Sequence, residues 1–322
     1  MRITLRHIIM IGLLAAISQA HAQQTPQWTQ YILNKYAINP AYGGLERSLS
    51  VTTGIRSQWN QFPGAPKTQA INAHLPLYFL NGSVGMGLIN DESGALKRTV
   101  VSLSYNYVYD ASWGLLSVGV RGGAQQVNLD GTQLITPDGI YVDQTFDHQD
   151  PLLPTTNIAG YTPQWALGVY YMYEGVEAGI TLDNVPNSNL DAGGTLFSSA
   201  ASMTLFASYQ YGLTEQFSIV PNLLLKTESG QTQLEIGALA YYNQLFGGLS
   251  FRGYSQNSLD AMGIIAGTQL SKKVRISYSF DIGLGGFADL HDGSHEFIIN
   301  YNLQRPIRTG ELPKIIHNPR YR

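Results

Sequence analysis

The residues able to do chemistry are few and dispersed. Beyond the first 22 residues, histidine occurs at His74, His148, His291, His295 and His317, with no His-Glu-x-x-His or comparable ligand spacing. His291-Asp292 and His295-Glu296 lie near serine and could suggest a hydrolase. No Gly-x-Ser-x-Gly elbow accompanies them. The stretch 128–164 holds Asp130, Asp138, Asp143, Asp147 and Asp150, without the Asp-x-Asp-x-Asp-Gly spacing of a calcium loop, so it reads as a solvated acidic face. Cysteine is absent, which removes thiol catalysis, disulfides and a lipid anchor at an export cleavage site. The expectation is a non-enzyme without metal or cofactor.

Side chains that could bind another protein are easier to find. In 56–68, Pro63, Gly64 and Pro66 shape a loop, and Trp59 and Phe62 place apolar surface at its tip. Arg56, Trp59, Phe62, Gly64 and Pro66 therefore form a candidate partner-binding set. The plainer reading assigns Trp59 to an aromatic girdle. The tail 305–322 carries five basic residues against Glu311 and is broken by Pro306, Pro313 and Pro319. Arg308, Lys314 and Arg320 are candidate docking residues for an acidic partner; the plainer reading is a solvated tail.

The elements that must position these residues follow from a period of two. In 101–126, Val101, Leu103, Tyr105, Tyr107 and Tyr109 share one parity, with Ser102, Ser104 and Asn106 between them. After 110–112, Leu116, Val118 and Val120 alternate with Ser117, Gly119 and Arg121. Alternation of this kind marks a hairpin with one apolar and one polar face. Each arm matches the roughly 9–11 residues that a tilted strand needs to cross hydrocarbon. The same pattern recurs over 49–58, 67–77, 82–91, 97–109, 113–127, 165–174, 175–184, 202–213, 216–228, 232–243, 245–255, 260–270, 272–283 and 294–304. Pro76 and Pro221 fall in or at the end of windows, where a bulge or strand end must absorb the missing N–H.

These windows predict an all-β, transmembrane antiparallel barrel of about fourteen strands with a plug-like N-terminal segment. Connections after even strands are mostly tight, while those after odd strands include the two longest, about 128–164 and 185–201. That parity matches short periplasmic turns and long external loops. Arg2, Arg6, the apolar run 8–17 and Ala20-His21-Ala22 read as a signal peptide cleaved near Ala22. Without Arg2 and Arg6, 17 basic residues face 22 acidic ones, which excludes a general nucleic-acid role. Only 13% of residues are charged, with 34 Gly and 20 Tyr, a composition suited to strands that meet lipid and carry aromatic girdles. The domain reading is 1–22 signal peptide, 23–48 periplasmic or lumenal segment, 49–304 barrel and 305–322 basic periplasmic tail.

Two motifs make the reading specific. Gln27, Gln30, Tyr31 and Asn34 precede Asn39, Pro40, Ala41, Tyr42 and Gly44; Arg56, Gln58, Trp59, Phe62, Gly64, Ala65, Pro66 and Thr68 follow. With 85–91 and His295-Glu296-Phe297, these resemble the PorP/SprF family of type IX secretion-system outer-membrane proteins of Bacteroidota. Gly43 stands where many members have alanine. The resemblance implies an outer-membrane barrel that meets lipid and partners a secreted cell-surface protein, often a large adhesin. It also implies contact with periplasmic secretion-system or cell-wall-anchoring proteins. Gln30, Tyr31, Asn39, Pro40 and Tyr42 would then act as a lumenal motif. The alternative is a fatty-acid-transporter-like channel for small hydrophobic molecules, which Asn39-Pro40-Ala41 resembles at one turn. A general porin is a third possibility that the sparse charge of the polar face does not favour.

Overall fold

The computed structural model describes residues 26–142, 145–151, 153–185, 188–192, 195–228, 231–253, 261–284 and 292–305. The basic tail and the segment read as a signal peptide lie outside them. Fourteen strands carry the architecture: β1 Ser50–Ser57, β2 Lys67–Leu77, β3 Gly82–Ser93, β4 Leu96–Ala111, β5 Gly114–Asp130, β6 Asn157–Tyr173 and β7 Val176–Asp183. The second half is β8 Ser202–Tyr209, β9 Phe217–Glu228, β10 Gln231–Tyr242, β11 Leu245–Arg252, β12 Ala261–Gln269, β13 Val274–Gly283 and β14 Ser294–Asn302. Each strand pairs antiparallel with its sequence neighbours, and β1 pairs with β14 from Ser50↔Asn302 to Ser57↔His295, which closes the sheet into a barrel.

The barrel is inside out relative to a water-soluble protein. On β4, Leu103 is 68% exposed on the outer face, whereas Asn106 on the inner face is 1% exposed. The same alternation continues through Val118 and Val120 outward and Ser117 inward on β5. Aromatic side chains gather where strands end: Trp113, at the β4–β5 turn, stacks on Tyr171 at 6.0 Å and lies 6.3 Å from Tyr109. No described helix is long and apolar enough to cross a membrane; the strands do the crossing.

The parity of connections holds in three dimensions. Turns after even strands are short, as at 112–113, 174–175 and 243–244, and the longest connections, 131–156 and 184–201, follow odd strands. At 174–175 both Glu174 and Gly175 take positive φ, 43° and 87°, the backbone a two-residue hairpin needs. We call the two ends the short-turn end and the long-loop end; barrels of this kind keep short turns in the periplasm. The connection 131–156 has its own order. Asp130 accepts from the Thr132 N–H and hydroxyl, and buried His148 meets the Tyr141 hydroxyl at 2.9 Å and the Pro154 carbonyl at 3.0 Å. Among the described residues no cluster is arranged to hold a metal ion.

Three details differ from the sequence expectation. First, β6 starts at Asn157, not 165: Gly160, Thr162 and Gln164 continue its inner face, and Pro163 masks a strand that keeps register with β5 at Ala124. Second, Pro221 lies within β9, opposite a break. Pairing to β8 stops at Ser208↔Asn222 and resumes at Tyr211↔Ile219, so the missing N–H coincides with an interrupted ladder and no bulge is needed. Third, the inner face is not polar throughout. Phe206, Val220, Leu239, Phe246 and Ile265 point inward from β8 to β12 and are buried.

Placing a charge on the outer face should be costly, and removing a small hydroxyl from the inner face beside open lumenal space cheap. Leu103→Arg, near the middle of β4, is expected to destabilise the barrel by about 2–4 kcal/mol, and Ser102→Ala by under about 0.5 kcal/mol. Reversible denaturant unfolding into lipid vesicles measures both.

Candidate functional site

Residues 26–48 fill the lumen. The segment runs from the long-loop end, where Thr29 lies beside Arg56 near the end of β1, down to Leu49 at the short-turn end, where β1 begins. It holds only a one-turn helix, Lys35–Ile38, and two single turns, Tyr31–Leu33 and Pro40–Tyr42. Such a segment has little hydrogen bonding of its own, so its backbone needs partners from the wall. One side is apolar: Tyr31, Ile32, Leu33 and Tyr42 join Tyr170, Phe206, Val220, Leu239, Phe246 and Ile265 in one buried cluster. The inward apolar residues of β8–β12 thus face this plug, not lipid.

The other side is polar and shaped. Asn39 anchors it: its amide donates to the carbonyls of Val169 and Ile180 at 3.0 and 3.2 Å, and its side-chain oxygen accepts from the Ala41 N–H at 2.9 Å, capping the turn that Pro40 begins. Glycine makes room for this approach. A Cβ on Gly119 would sit 2.6 Å from the Ala41 nitrogen, and one on Gly168 would sit 2.2 Å from the Asn39 side-chain oxygen. Tyr42 packs edge-on against Tyr170 at 5.2 Å, and the Gly44 N–H, at φ 68°, donates to His74 at 3.1 Å. Lys35 pairs with Glu177 and lies 5.5 Å from the Tyr42 ring. The Tyr31 hydroxyl donates to Asn222 at 2.6 Å; burial, then the Glu235 carboxylate, hold this phenol above its usual range and keep it a donor.

At the upper end of the plug five charged side chains converge. Arg56 bridges Asp281 at 2.7 Å and Glu296 at 3.0 Å, while Arg252 bonds Glu235 at 3.0 Å. Arg56↔Glu296 and Glu235↔Arg252 are direct cross-strand partners, so sheet register creates both pairs. Thr29 is inserted at the centre. Its hydroxyl accepts from Arg56 at 3.0 Å and Arg252 at 2.8 Å and donates to Asp281 at 2.6 Å. The Thr29 and Gln30 N–H groups donate to the two oxygens of Glu296 at 2.9 and 3.0 Å. We call this node the latch.

The loop 58–66 stands above the latch and is held on both flanks. The Asn60 N–H donates to the Gly293 carbonyl at 2.9 Å and the Asp292 N–H to the Asn60 carbonyl at 3.1 Å. On the opposite flank the Gly94 N–H donates to the Gly64 carbonyl at 2.9 Å, and the Gln58 N–H closes the base of the loop on the Pro66 carbonyl at 2.9 Å. Trp59 and Gln61 take positive φ, 48° and 70°, a backbone state that side chains other than glycine adopt at a cost. Trp59 is 47% and Phe62 43% exposed.

Residues 20–301 match the family described as type IX secretion system membrane protein PorP/SprF. The chain belongs to the PorP/SprF family. No curated protein sequence matches it. By structure it is similar to the outer membrane protein Omp33 of Acinetobacter baumannii, with TM-score 0.46 and 7% identity over 79% of this chain and 97% of that one. It is also similar to the toluene transporter TbuX of Ralstonia pickettii, with TM-score 0.49 and 14% identity over 82% and 91%. A third likeness is to the CymD monoaromatic hydrocarbon channel, with TM-score 0.45 and 12% identity over 80% and 88%.

For a PorP/SprF barrel the geometry regroups the residues singled out from sequence. Gln30, Tyr31, Asn39, Pro40 and Tyr42 are all buried in the plug. Trp59, Phe62, Gly64 and Pro66 share the pinned loop. Arg56 does not belong with them: it is 1% exposed, because its even position on β1 points it into the lumen. Three stretches quoted for the PorP/SprF resemblance, around Gln30, Arg56 and Glu296, meet at the latch. Arg308, Lys314 and Arg320 lie outside the described residues. The sequence reading missed Thr29, Glu177, Glu235, Arg252 and Asp281. A signal was present, since each charge sits at an inward parity position among Ser, Gly and Asn.

Removing Arg56 strands two buried carboxylates. Arg56→Met is expected to cost about 3–5 kcal/mol, with partial recovery in Arg56→Met/Glu296→Gln. Arg56→Lys should recover less than half, because one ammonium cannot span both carboxylates and Thr29 as the guanidinium fork does. Guanidinium unfolding in detergent, followed by tryptophan fluorescence, separates these outcomes.

Proposed function

We propose that this PorP/SprF protein docks a specific secreted, adhesin-like polypeptide at the cell surface during type IX secretion. The single observation that carries the reading is the loop 58–66, whose exposed Trp59 and Phe62 are presented on a backbone pinned from both sides and held partly at positive φ. Large aromatic side chains on a preorganised loop bind protein with little ordering cost. Family membership supplies the system in which a partner would be met. The long-loop end, where this loop stands, is the outer face by the general rule for such barrels.

At the opposite end, β14 delivers the chain at Asn302 beside Leu49, whose carbonyl accepts from the Leu303 N–H at 2.9 Å. The basic residues that follow, Arg308, Lys314 and Arg320, are the proposed contact for acidic periplasmic machinery or a cell-wall-anchoring protein. A conduit for fatty acids is less well supported. The lumenal arginines that could meet a carboxylate, Arg98 and Arg121, are already paired with Asp91 at 3.0 Å and Asp183 at 2.7 Å.

Deleting the protein should abolish surface display of one adhesin-like secreted protein and leave bulk permeability to small dyes unchanged. Trp59→Ala/Phe62→Ala should lower display toward the deletion level with unfolding unaltered, since anchors of this type cost about 2 kcal/mol or more each. Normal display in the deletion strain, measured by surface immunolabelling, would rule out docking.

A further inference from the structure

The plug packs its apolar side on the β8–β12 wall and leaves space around its upper part. A cavity of about 180 Å3 lies there, toward the long-loop end, beside Trp28, Tyr36, Ala37 and Ile38 of the plug; it runs along β2–β6 and reaches Thr204, Lys226 and Glu235 on β8–β10. The Asp91–Arg98 pair stands near its mouth, Ile89 and Val100 are one row deeper, and below them Gly87 and Gly123 carry no side chain to fill the lumen. Tyr36 ends the space: its hydroxyl meets Ser104 at 2.7 Å and its ring lies 5.0 Å from His74.

Its chemistry selects an occupant. The cations that line it, Arg98, Arg121, Lys226 and Arg252, each have a carboxylate at hydrogen-bond distance (Asp91, Asp183, Glu228 and Glu235), so the lining is charge-balanced before anything enters. A phosphate or fatty-acid headgroup would have to displace one of these carboxylates, which disfavours anionic ligands. Gln164 donates to Gln125, and a purely apolar molecule would cover the Asn72 amide and the remaining donors and lone pairs of that pair without bonding them, at a desolvation cost. Asn72 offers its acceptor and two donors, and the Gln125–Gln164 pair its remaining lone pairs and N–H groups beyond the mutual bond, together the complement of a peptide unit. Ile38, Ile89 and Val100 supply apolar surface for one side chain. The volume is that of about six waters of bulk liquid, on the order of one large side chain with its peptide groups.

We propose that this pocket receives an uncharged segment of the docked secreted polypeptide, an aliphatic or aromatic side chain leading and its main chain bonded to the amides of Asn72, Gln125 and Gln164. This rests on the docking reading and adds a second contact to it, inside the lumen. Loop 58–66 would hold the partner outside while the pocket reads a short sequence.

A photo-reactive benzoylphenylalanine placed at position 100 and, separately, at position 59 in secreting cells tests both contacts. The expected result is an adduct at each position with the same protein, the one whose display is lost on deletion. Val100→Trp, which fills the cavity, is expected to lower display at least tenfold without changing heat-modifiable gel mobility. An adduct at 59 but none at 100, a lipid adduct at 100, or wild-type display by folded Val100→Trp would overturn the pocket and leave docking standing. No adduct at either position would overturn both.

Discussion

Hydrocarbon supplies no hydrogen-bond partner, and the architecture follows from that constraint. Every strand N–H and C=O within lipid must be paired by the sheet, so the sheet closes between Ser50–Ser57 and Ser294–Asn302. Closure sends apolar side chains outward and polar ones inward. The inward groups are then removed from bulk water as well, and they need partners of their own. Residues 26–48 provide many of them: the plug answers a demand that the barrel creates.

Two kinds of contact hold the plug, and they do different jobs. The cluster around Ile32, Leu33, Phe206 and Leu239 supplies apolar burial, about 1.5–3 kcal/mol for each large side chain. Such contact is non-directional and would tolerate a shift along the lumen. The latch and the Asn39 anchor are directional: Thr29 meets four charged side chains, and Asn39 meets two strand carbonyls. Hydrogen bonds to charged groups contribute about 1.5–3 kcal/mol, comparable with one apolar side chain, but they define one position. Packing provides most of the adhesion and the polar contacts set the register. The pocket is the part of the lumen toward the long-loop end that the plug does not occupy.

Much of this was legible from residues alone because strand periodicity is local. Alternation placed Leu103 outside and Asn106 inside, and connection parity separated the short-turn end from the long-loop end. Where the reading failed, a local rule met a distant partner. Arg56 was grouped with Trp59 because they are three residues apart, yet strand parity turns it inward to Asp281 and Glu296, over two hundred positions away. The window for β6 opened at 165, yet the strand begins at Asn157 and runs through Pro163 in register with β5. Phe206 and Leu239 broke the expectation of a polar lumen because their partners, in the plug, lie far off in sequence.

The sequence by itself determined the closed antiparallel barrel, its strand number, the family and the shaped loop at 58–66, because each is written in a period of two, in turn residues or in a contiguous motif. Only the tertiary structure decided that Gln30, Arg56 and Glu296 share one node, that Gly119 and Gly168 exist to admit the plug, and that a pocket remains above Tyr36. Those facts depend on which strands closure brings face to face across the lumen, and no local pattern encodes a distance across a cylinder.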